Sequence, residues 1–232
     1  MTITSSHNDK LKEIRKLARR RSREDASRFV AEGEDLIAAA ASAGWSPLVL
    51  LAAADSGLEG DEVEGSLLAS VSGLGSGTRQ LAVYASRWSV AAGPLCVALW
   101  GVGDPGNVGA ILRSALAFGA SSVALGPGCA DPFGPKAVRA SMGAIFDVPI
   151  ARVASLDELP GEHVALVAHA GDALAGPAGG ELSLLVGAER DGLPAQVVAG
   201  CDRVAHIPIA TESLNAAMTA AIALYELTRG RF

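Results

Sequence analysis

The chain has 232 residues, enough for one large α/β domain or for a small domain joined to a medium one. Half of the residues are hydrophobic but only 4% are aromatic, which is typical of helices packed on a sheet and argues against an aromatic-rich β-sandwich. A net charge of -6 is unlike that of a protein that coats nucleic acid, and the apolar runs are shorter than the ~20 residues of a membrane span.

The positive charge is concentrated at the start of the chain. Residues 1–30 contain nine of the 19 Lys and Arg residues against four acids, and the remainder is strongly acidic. A basic helix here predicts contact with a polyanion, although a solvated helix face would show the same pattern. The segment lacks the apolar core of a secretory signal, so we expect a cytoplasmic protein. Three widely spaced cysteines predict reduced thiols, without disulfides or a metal site: Cys96, Cys129 and Cys201.

After the basic helix, the first part of the chain predicts a small domain. "SRFVAEGEDLIAAAASAG" indicates a short extended piece and a helix, and "WSPLVLLAAA" indicates a strand. Residues 55–78 predict loops around a short helix, and "RQLAVYASRW" predicts a further strand. "SVAAGP" has the glycine and proline of a linker. We therefore expect a boundary near residues 90–94, dividing the chain into domains 1–92 and 93–232.

In the second domain, apolar strands alternate with helices. Five strands are predicted, at "LCVALW", "SSVAL", "VALVAH", "LSLLVG" and "RVAHIPI", with helices at 107–118, 134–144 and 213–229. Repeated βα units predict an α/β fold with a mostly parallel sheet covered by helices on both sides. Ligands bind at the carboxyl ends of such strands, where "GVGDPGN", "GAERDGL" and "IPIATESLN" fall. These three loops should form one site.

The glycines after the first of these strands raise one alternative. Gly101, Gly103 and Gly106 fit GxGxxG between a strand and a helix, which would suit a nucleotide-dependent oxidoreductase. Two features count against a dinucleotide. The next strand ends in "VALGPG" without the acid that holds a ribose, and Asp104-Pro105 places a carboxylate and a residue without N–H where a pyrophosphate needs donors.

Three segments follow one another along this domain: "DPGNVGAILRSALAFGA", "LLVGAERDGLP" and "IPIATESLNAAMTAAIALYE". In this order and at these separations they resemble the motifs of the SpoU/TrmH family of RNA ribose 2'-O-methyltransferases, in the SPOUT class. "RASMGAIFDVPI" matches the segment between the first two motifs, and "RFVAEGEDLIAAAASAG" resembles the start of an L30e-like RNA-binding domain. The resemblance implies a C-terminal parallel-sheet SPOUT domain with a trefoil knot, a small N-terminal α/β L30e-like domain and a homodimer formed through the knot region.

The resemblance also implies an activity. The expected reaction is methylation of a ribose 2'-OH in structured RNA by S-adenosylmethionine, with 23S rRNA as the expected substrate and no metal. Transfer RNA is an alternative substrate, and a noncatalytic RNA-binding protein on the same fold is an alternative function. The cofactor is expected against backbone groups of Gly187, Ile207 and Leu214.

Five residues are candidates for catalysis: Arg113, Asn107, Glu189, Ser213 and Asn215. The resemblance makes Arg113 the catalytic arginine and assigns Ser213 and Asn215 to the substrate and cofactor pocket. Arg113 cannot be an ordinary base at neutral pH because the pKa of a guanidinium exceeds 12. We interpret it as a group that binds the RNA phosphate beside the target ribose and stabilises the developing alkoxide. The proton acceptor is then either Arg113 or that phosphate.

Some of these assignments have structural alternatives. Asn107 and Ser213 are good helix caps, and an acid at Glu189 should hold Arg113 or a backbone amide in position. The last helix could serve a dimer interface or the core of one subunit. Three histidines share no motif and are interpreted as structural: His163, His169 and His206.

Overall fold

The computed structural model describes residues 2–73 and 77–231. They divide into two compact units, the first formed by Met1–Arg87 and Asp131–Phe146 and the second by Trp88–Ala130 and Asp147–Phe232. The division between Arg87 and Trp88 lies close to the expected boundary. A single cut of the chain does not reproduce the division, however, because residues 131–146 belong to the first unit. Residues 74–76, within the stretch predicted to be loops, lie outside the described part of the chain.

The helices and strands are numbered in chain order. The helices are α1 (Asp9–Leu17), α2 (Arg20–Ala26), α3 (Glu34–Ser42), α4 (Gly65–Val71), α5 (Pro105–Ala117), α6 (Pro135–Ala140), α7 (Ala195–Ala199) and α8 (Ala216–Thr228). The strands are β1 (Arg28–Glu32), β2 (Val49–Ala53), β3 (Asp61–Val63), β4 (Gln80–Ala85), β5 (Leu95–Trp100), β6 (Ser122–Leu125), β7 (Ile150–Arg152), β8 (Glu162–Val167), β9 (Asp172–Ala173), β10 (Leu182–Gly187) and β11 (Arg203–His206). No helix in the described residues is long and apolar enough to cross a membrane.

The first unit is built on a four-stranded sheet in the order β1-β4-β2-β3. Leu11, Ile14 and Leu17 recur on one face of α1 and pack with buried leucines of the sheet, as an amphipathic helix should. The single basic helix that the sequence predicts is two helices, because Arg19 has an extended backbone that separates α1 from α2. This unit is the small α/β domain expected at the start of the chain.

An aromatic cluster explains why residues 131–146 belong to the first unit. Phe133 and Phe146 lie 5.0 and 6.0 Å from Phe29, measured between ring centroids, and the indole of Trp45 donates a hydrogen bond to the carbonyl oxygen of Phe146. Aromatic contacts of this kind stabilise by more than the apolar area they bury. The helix predicted at 134–144 is correspondingly shorter, since it ends at Ala140 before a segment with positive φ.

One of the nine basic residues near the N-terminus is part of the interior. Arg23 is 7% exposed, and its guanidinium donates to Oδ2 of Asp131 over 2.8 and 2.7 Å and to the carbonyl oxygens of Leu17 and Ala18. Since its donors are satisfied inside the unit, Arg23 is not available to RNA. Of the nine cations counted in residues 1–30, this one does not contribute to a polyanion-binding surface.

The second unit contains a seven-stranded sheet in the order β7-β6-β5-β10-β8-β11-β9, with every neighbouring pair parallel. The predicted parallel sheet is therefore confirmed, and each of the five predicted strands is present. The sequence missed β7 and β9 because three and two residues are too few to show an apolar pattern. In the centre of the sheet, β5 is buried at all six positions, as expected for a strand with helices on both faces.

Candidate active site

Four strand ends of the parallel sheet position the candidate site. Trp100 at the end of β5 lies opposite Gly187 at the end of β10, and Val167 at the end of β8 lies opposite His206 at the end of β11. Because the strands are parallel, the loops that follow them leave the same edge of the sheet. The structure thus brings together the three loops that the sequence predicts to converge.

A side-chain network centred on Asn107 links these loops. Asn107 donates through Nδ2 to Oε1 of Glu189, and its Oδ1 accepts from Nδ2 of Asn215 over 3.0 Å. Each of the three motif loops therefore contributes one residue, and each of these residues is hydrogen-bonded to a residue of another loop. Amide orientation follows from this pattern, since Asn107 donates to a carboxylate, which can only accept.

The helix caps differ from those expected. Asp104 caps α5 by accepting from the backbone N–H of Asn107 over 3.0 Å, and Asn215 caps α8 by accepting from Ala217 and Met218. The predicted caps at Asn107 and Ser213 are wrong, because α5 begins at Pro105 and α8 at Ala216. Proline suits the first position of a helix because its missing N–H would have no partner there. The Asp104-Pro105 pair thus starts the helix that carries Arg113.

Glycine at position 187 is required by the chain itself. A Cβ there would come within 2.2 Å of the carbonyl carbon of Gly192 and 2.3 Å of the nitrogen of Leu193. Two backbone hydrogen bonds between Ala188 and Gly192, of 3.1 and 3.0 Å, close the intervening loop. The missing Cβ of Gly187 was expected to let a ligand approach closely. In the structure the close approach is made by the loop of residues 188–192, hereafter the 188–192 loop.

A pocket opens between the 188–192 loop, the end of β8 and the segment after β11. Its lining includes the three predicted cofactor residues Gly187, Ile207 and Leu214, together with Glu189 and Ser213. Asn107, Arg113 and Asn215 do not line it. Sequence reasoning missed the other lining residues, namely Leu166, Val167, Ala168, Val186, Ala188, Arg190, Gly192, Ile209, Ala216 and Thr219. The position of residues 166–168 at the end of an apolar strand was the signal that could have found them.

Arg113 lies on α5 with an exposed side chain. It makes no hydrogen bond or ion pair with any residue that the structure describes. The expected contact with Glu189 is wrong: Glu189 is itself exposed and accepts from Asn107 instead. An exposed guanidinium without a partner keeps all of its donors for a ligand, and phosphate is the anion that matches their fork geometry.

Histidines and thiols are not gathered at the site. His163 lies 3.2 Å from the carbonyl oxygen of Leu159, and Nδ1 of His206 is buried without a hydrogen-bond partner among the described residues. Burial raises the pKa of Cys96 and Cys129, which keeps both thiols protonated and unreactive at neutral pH. Within residues 2–73 and 77–231, no group of three His, Cys, Asp or Glu side chains is placed to hold a metal ion.

A comparison with protein-family models matches the region of the chain that contains this site. The model of the SpoU rRNA Methylase family matches residues 94–225, which include all three motif loops. The chain belongs to this family. The preceding region, residues 8–74, matches the MRM3-like substrate binding domain, so the two matches fall on either side of the expected boundary.

Curated relatives align with the SpoU chain over different lengths. An uncharacterised tRNA/rRNA methyltransferase of Mycobacterium tuberculosis is 40% identical over 155 residues, covering 60% of this chain and 54% of the relative. The chain thus spans about half the length of the mycobacterial relatives it matches. The 23S rRNA (guanosine(2553)-2'-O)-methyltransferase RlmP of Bacillus subtilis is 29% identical and aligns over 97% of this chain and 98% of its own.

Solved structures of similar proteins show the same architecture. The S-adenosylmethionine-bound rRNA methyltransferase of Sinorhizobium meliloti superposes with a TM-score of 0.88 at 29% identity, covering 100% of this chain and 98% of its own. The SpoU methyltransferase AviRb of Streptomyces viridochromogenes, also bound to the cofactor, gives 0.85 at 28% identity over 97% and 98%. These likenesses confirm the SPOUT fold class with its smaller N-terminal domain.

Proposed function

We propose that the protein methylates a ribose 2'-OH of ribosomal RNA in the cytoplasm, using S-adenosylmethionine. The observation that carries the proposal is the hydrogen-bonded link of Asn107, Glu189 and Asn215, which joins the three motif loops beside a pocket lined by Gly187 and Leu214. Similarity over 97% or more of the chain to a named 2'-O-methyltransferase and to two cofactor-bound methyltransferase structures supports the same reaction.

The pocket has the chemistry that S-adenosylmethionine needs. Ile207, Ile209 and Leu214 offer apolar contacts for an adenine ring, as small-molecule pockets commonly do. Arg190 supplies a cation for the carboxylate of the methionine part, and Glu189 supplies an anion near its positive groups. When bound, the cofactor supplies an electrophilic methyl group. Residues on the chain then have to orient the ribose oxygen and accept its proton.

Arg113 assists removal of this proton in the proposal. Its exposed guanidinium binds the phosphate beside the target ribose and stabilises negative charge on the 2'-oxygen as its proton leaves. The proton passes to that phosphate or to a deprotonated microstate of Arg113. Asn107, Glu189 and Asn215 orient the loops around the reacting groups, and Ser213 contributes its hydroxyl to the pocket.

We assign RNA recognition to domain 1–92 and catalysis to domain 93–232. The match of residues 8–74 to a substrate binding domain supports the first assignment, and the match of residues 94–225 supports the second. We further propose that domain 1–92 is L30e-like and that the segment after β11 forms a trefoil knot. The placement of 207–214 against the 188–192 loop and the end of β8 in one pocket is consistent with such a knot.

A homodimer is proposed from an exposed apolar patch on α5 and α8. Leu116, Met218, Ile222 and Tyr225 are between 41% and 57% exposed, which is unusual for residues on adjacent helices of one monomer. Arg113 precedes Leu116 by three residues and so shares its face of α5. Pairing through this patch would place Arg113 of each protomer at the interface.

The patch is tested by light scattering after gel filtration. We expect a dimer for the wild type and a monomer for Ile222→Glu, since a charge cannot be buried there without a partner. Leu48→Glu, at a residue that is 51% exposed in the first unit, is the matched control and should remain dimeric. A monomeric wild type would contradict the proposal.

Ribosomal RNA is favoured over tRNA because a relative that aligns over 97% of the chain is named for 23S rRNA. The test is transfer of labelled methyl from S-adenosylmethionine to unmodified 23S rRNA and to tRNA in parallel. Label in rRNA alone supports the proposal. Label in tRNA alone would show that tRNA, and not rRNA, is the substrate. RNA binding without any methyl transfer would favour a noncatalytic protein on the same fold.

A further inference from the structure

A second depression adjoins the cofactor pocket at the 188–192 loop. Its volume is about 670 Å³, and it runs between the ends of β5, β6 and β7 and the start of α7. Ala188 and Gly192 line both concavities, so a single turn of backbone separates them. A ligand seated in this depression would therefore lie directly beside the cofactor.

The floor of the depression is apolar and includes an aromatic ring. Trp100 is 7% exposed, and its indole lies against Gly126, where a Cβ would come within 2.6 Å of the ring. Val197 and Leu156 complete the floor. An apolar lining that includes an indole suits a planar ring, and aromatic side chains are a usual contact of unpaired RNA bases.

The rim offers polar groups that the chain does not use. Asp191 and Gln196 make no hydrogen bond or ion pair with the residues that the structure describes. The hydroxyl of Ser155 accepts from the backbone in the capping box with Glu158, which leaves its proton free to donate. The rim therefore combines an acceptor-only carboxylate with two side chains that can donate.

A carboxylate at an RNA site would repel a phosphate and accepts hydrogen bonds from a base edge or a ribose 2'-OH, and of these only a base edge offers it two adjacent donors. Among the four bases, guanine presents two adjacent donors, N1–H and the 2-amino group, to the two oxygens of one carboxylate, while its O6 accepts from donors such as Gln196 and Ser155. Adenine, cytosine and uracil each present fewer donors on that edge. We propose that this depression binds a guanine base of the RNA substrate, read by Asp191; the inference rests on the proposed function.

Nucleotide titration tests the depression independently of activity. The indole N–H resonance of Trp100, assigned with Trp100→Phe, is followed by NMR while GMP, AMP, CMP or UMP is added. We expect GMP to shift it at concentrations at least tenfold lower than the others. Asp191→Asn should remove that preference, whereas Asp157→Asn, at an exposed acid outside the lining, should keep it. Equal shifts by all four nucleotides, no shift by any, or an unchanged preference in Asp191→Asn would overturn the inference.

An RNA assay separates this inference from the proposed function. With methylated rRNA as the readout, Asp191→Asn should raise KM for RNA about tenfold or more and leave cofactor affinity unchanged. Normal KM in Asp191→Asn, with active wild type, would refute the guanine site alone. Absence of both cofactor binding and methyl transfer in the wild type, with GMP-selective shifts intact, would refute the proposed function alone.

Discussion

The side-chain amide of Asn215 donates to Oδ1 of Asn107 over 3.0 Å, joining two residues that are 108 positions apart. Asn215 also caps α8, and Asn107 also donates to Glu189. Neither asparagine is buried, so each bond contributes about 0.5–1.5 kcal/mol at most. The network therefore acts mainly by fixing the relative position of the three loops.

Replacing Asn215 by Asp separates the cap from the link. Asp caps a helix as well as Asn does, so the free energy of unfolding should stay within about 0.5 kcal/mol of wild type. The new carboxylate has no donor for Asn107 and adds a negative charge near Glu189, so methyl transfer should fall about tenfold or more. Urea unfolding and initial rates measure the two effects. Asn215→Ala removes both the cap and the link, so it should lower methyl transfer and also lower the free energy of unfolding by about 0.5–2 kcal/mol. Full activity of Asn215→Asp would contradict the role of the link.

Gly187→Ala tests the close approach under the 188–192 loop. The added Cβ would overlap the backbone of Gly192 and Leu193, so the loop has to move, at a cost of about 1–3 kcal/mol or more. Gly179→Ala is the matched control, because a Cβ there meets nothing within 4 Å. Thermal unfolding and calorimetric titration with the cofactor should show loss of stability and affinity for the first variant only. Equal behaviour of the two variants would be inconsistent with the observed packing.

Arg23→Ala tests the interior position of that arginine. Its removal leaves the Asp131 carboxylate, whose side chain is 12% exposed, without its cation, which typically costs about 3–5 kcal/mol. Arg19→Ala removes an exposed side chain and should change stability by less than about 0.5 kcal/mol. Denaturant midpoints of the two variants provide the comparison. A similar midpoint for both would mean that Arg23 is not a structural residue.

Exposed cations of the first unit are expected to bind RNA phosphates. Lys16 and Arg19 are exposed, and their side chains make no ion pair with described residues, whereas Arg20 pairs with Glu24. Lys16→Glu combined with Arg19→Glu should weaken RNA binding and lower the slope of log affinity against log salt by about 0.7–0.9 for each phosphate that is no longer neutralised. Arg229→Glu combined with Arg231→Glu changes the net charge by the same amount elsewhere in the chain and is the control. An unchanged slope would argue against phosphate binding by these two residues.

The strongly patterned parts of the fold could be predicted from the sequence. The apolar runs at 95–100 and 182–187 have the composition and length of buried parallel strands, and both are strands as expected. Parallel strands end at the same edge of a sheet, so the convergence of the motif loops could also be predicted from the sequence.

Details that depend on the exact residue at which a helix begins could not be predicted. Asp104, Asn107, Ser213 and Asn215 all have side chains that can cap a helix, and only the backbone decides which of them does. Long-range partners could not be predicted either, because nothing local in the sequence indicates that Arg23 binds Asp131, 108 residues away. The missed partner of Glu189 has the same cause, because Asn107 reaches it across 82 positions.

Analysis of the methylated nucleosides gives the decisive test of the proposed reaction. Ribosomal RNA is incubated with labelled S-adenosylmethionine and the wild type, Arg113→Ala or the control Arg203→Ala, and then digested to nucleosides. We expect a 2'-O-methylnucleoside with wild type and Arg203→Ala, and about 10²–10³-fold less with Arg113→Ala. Cofactor affinity should be unchanged, since Arg113 does not line the pocket. A base-methylated product would contradict ribose methylation, and equal activity of Arg113→Ala would contradict the catalytic role of that arginine.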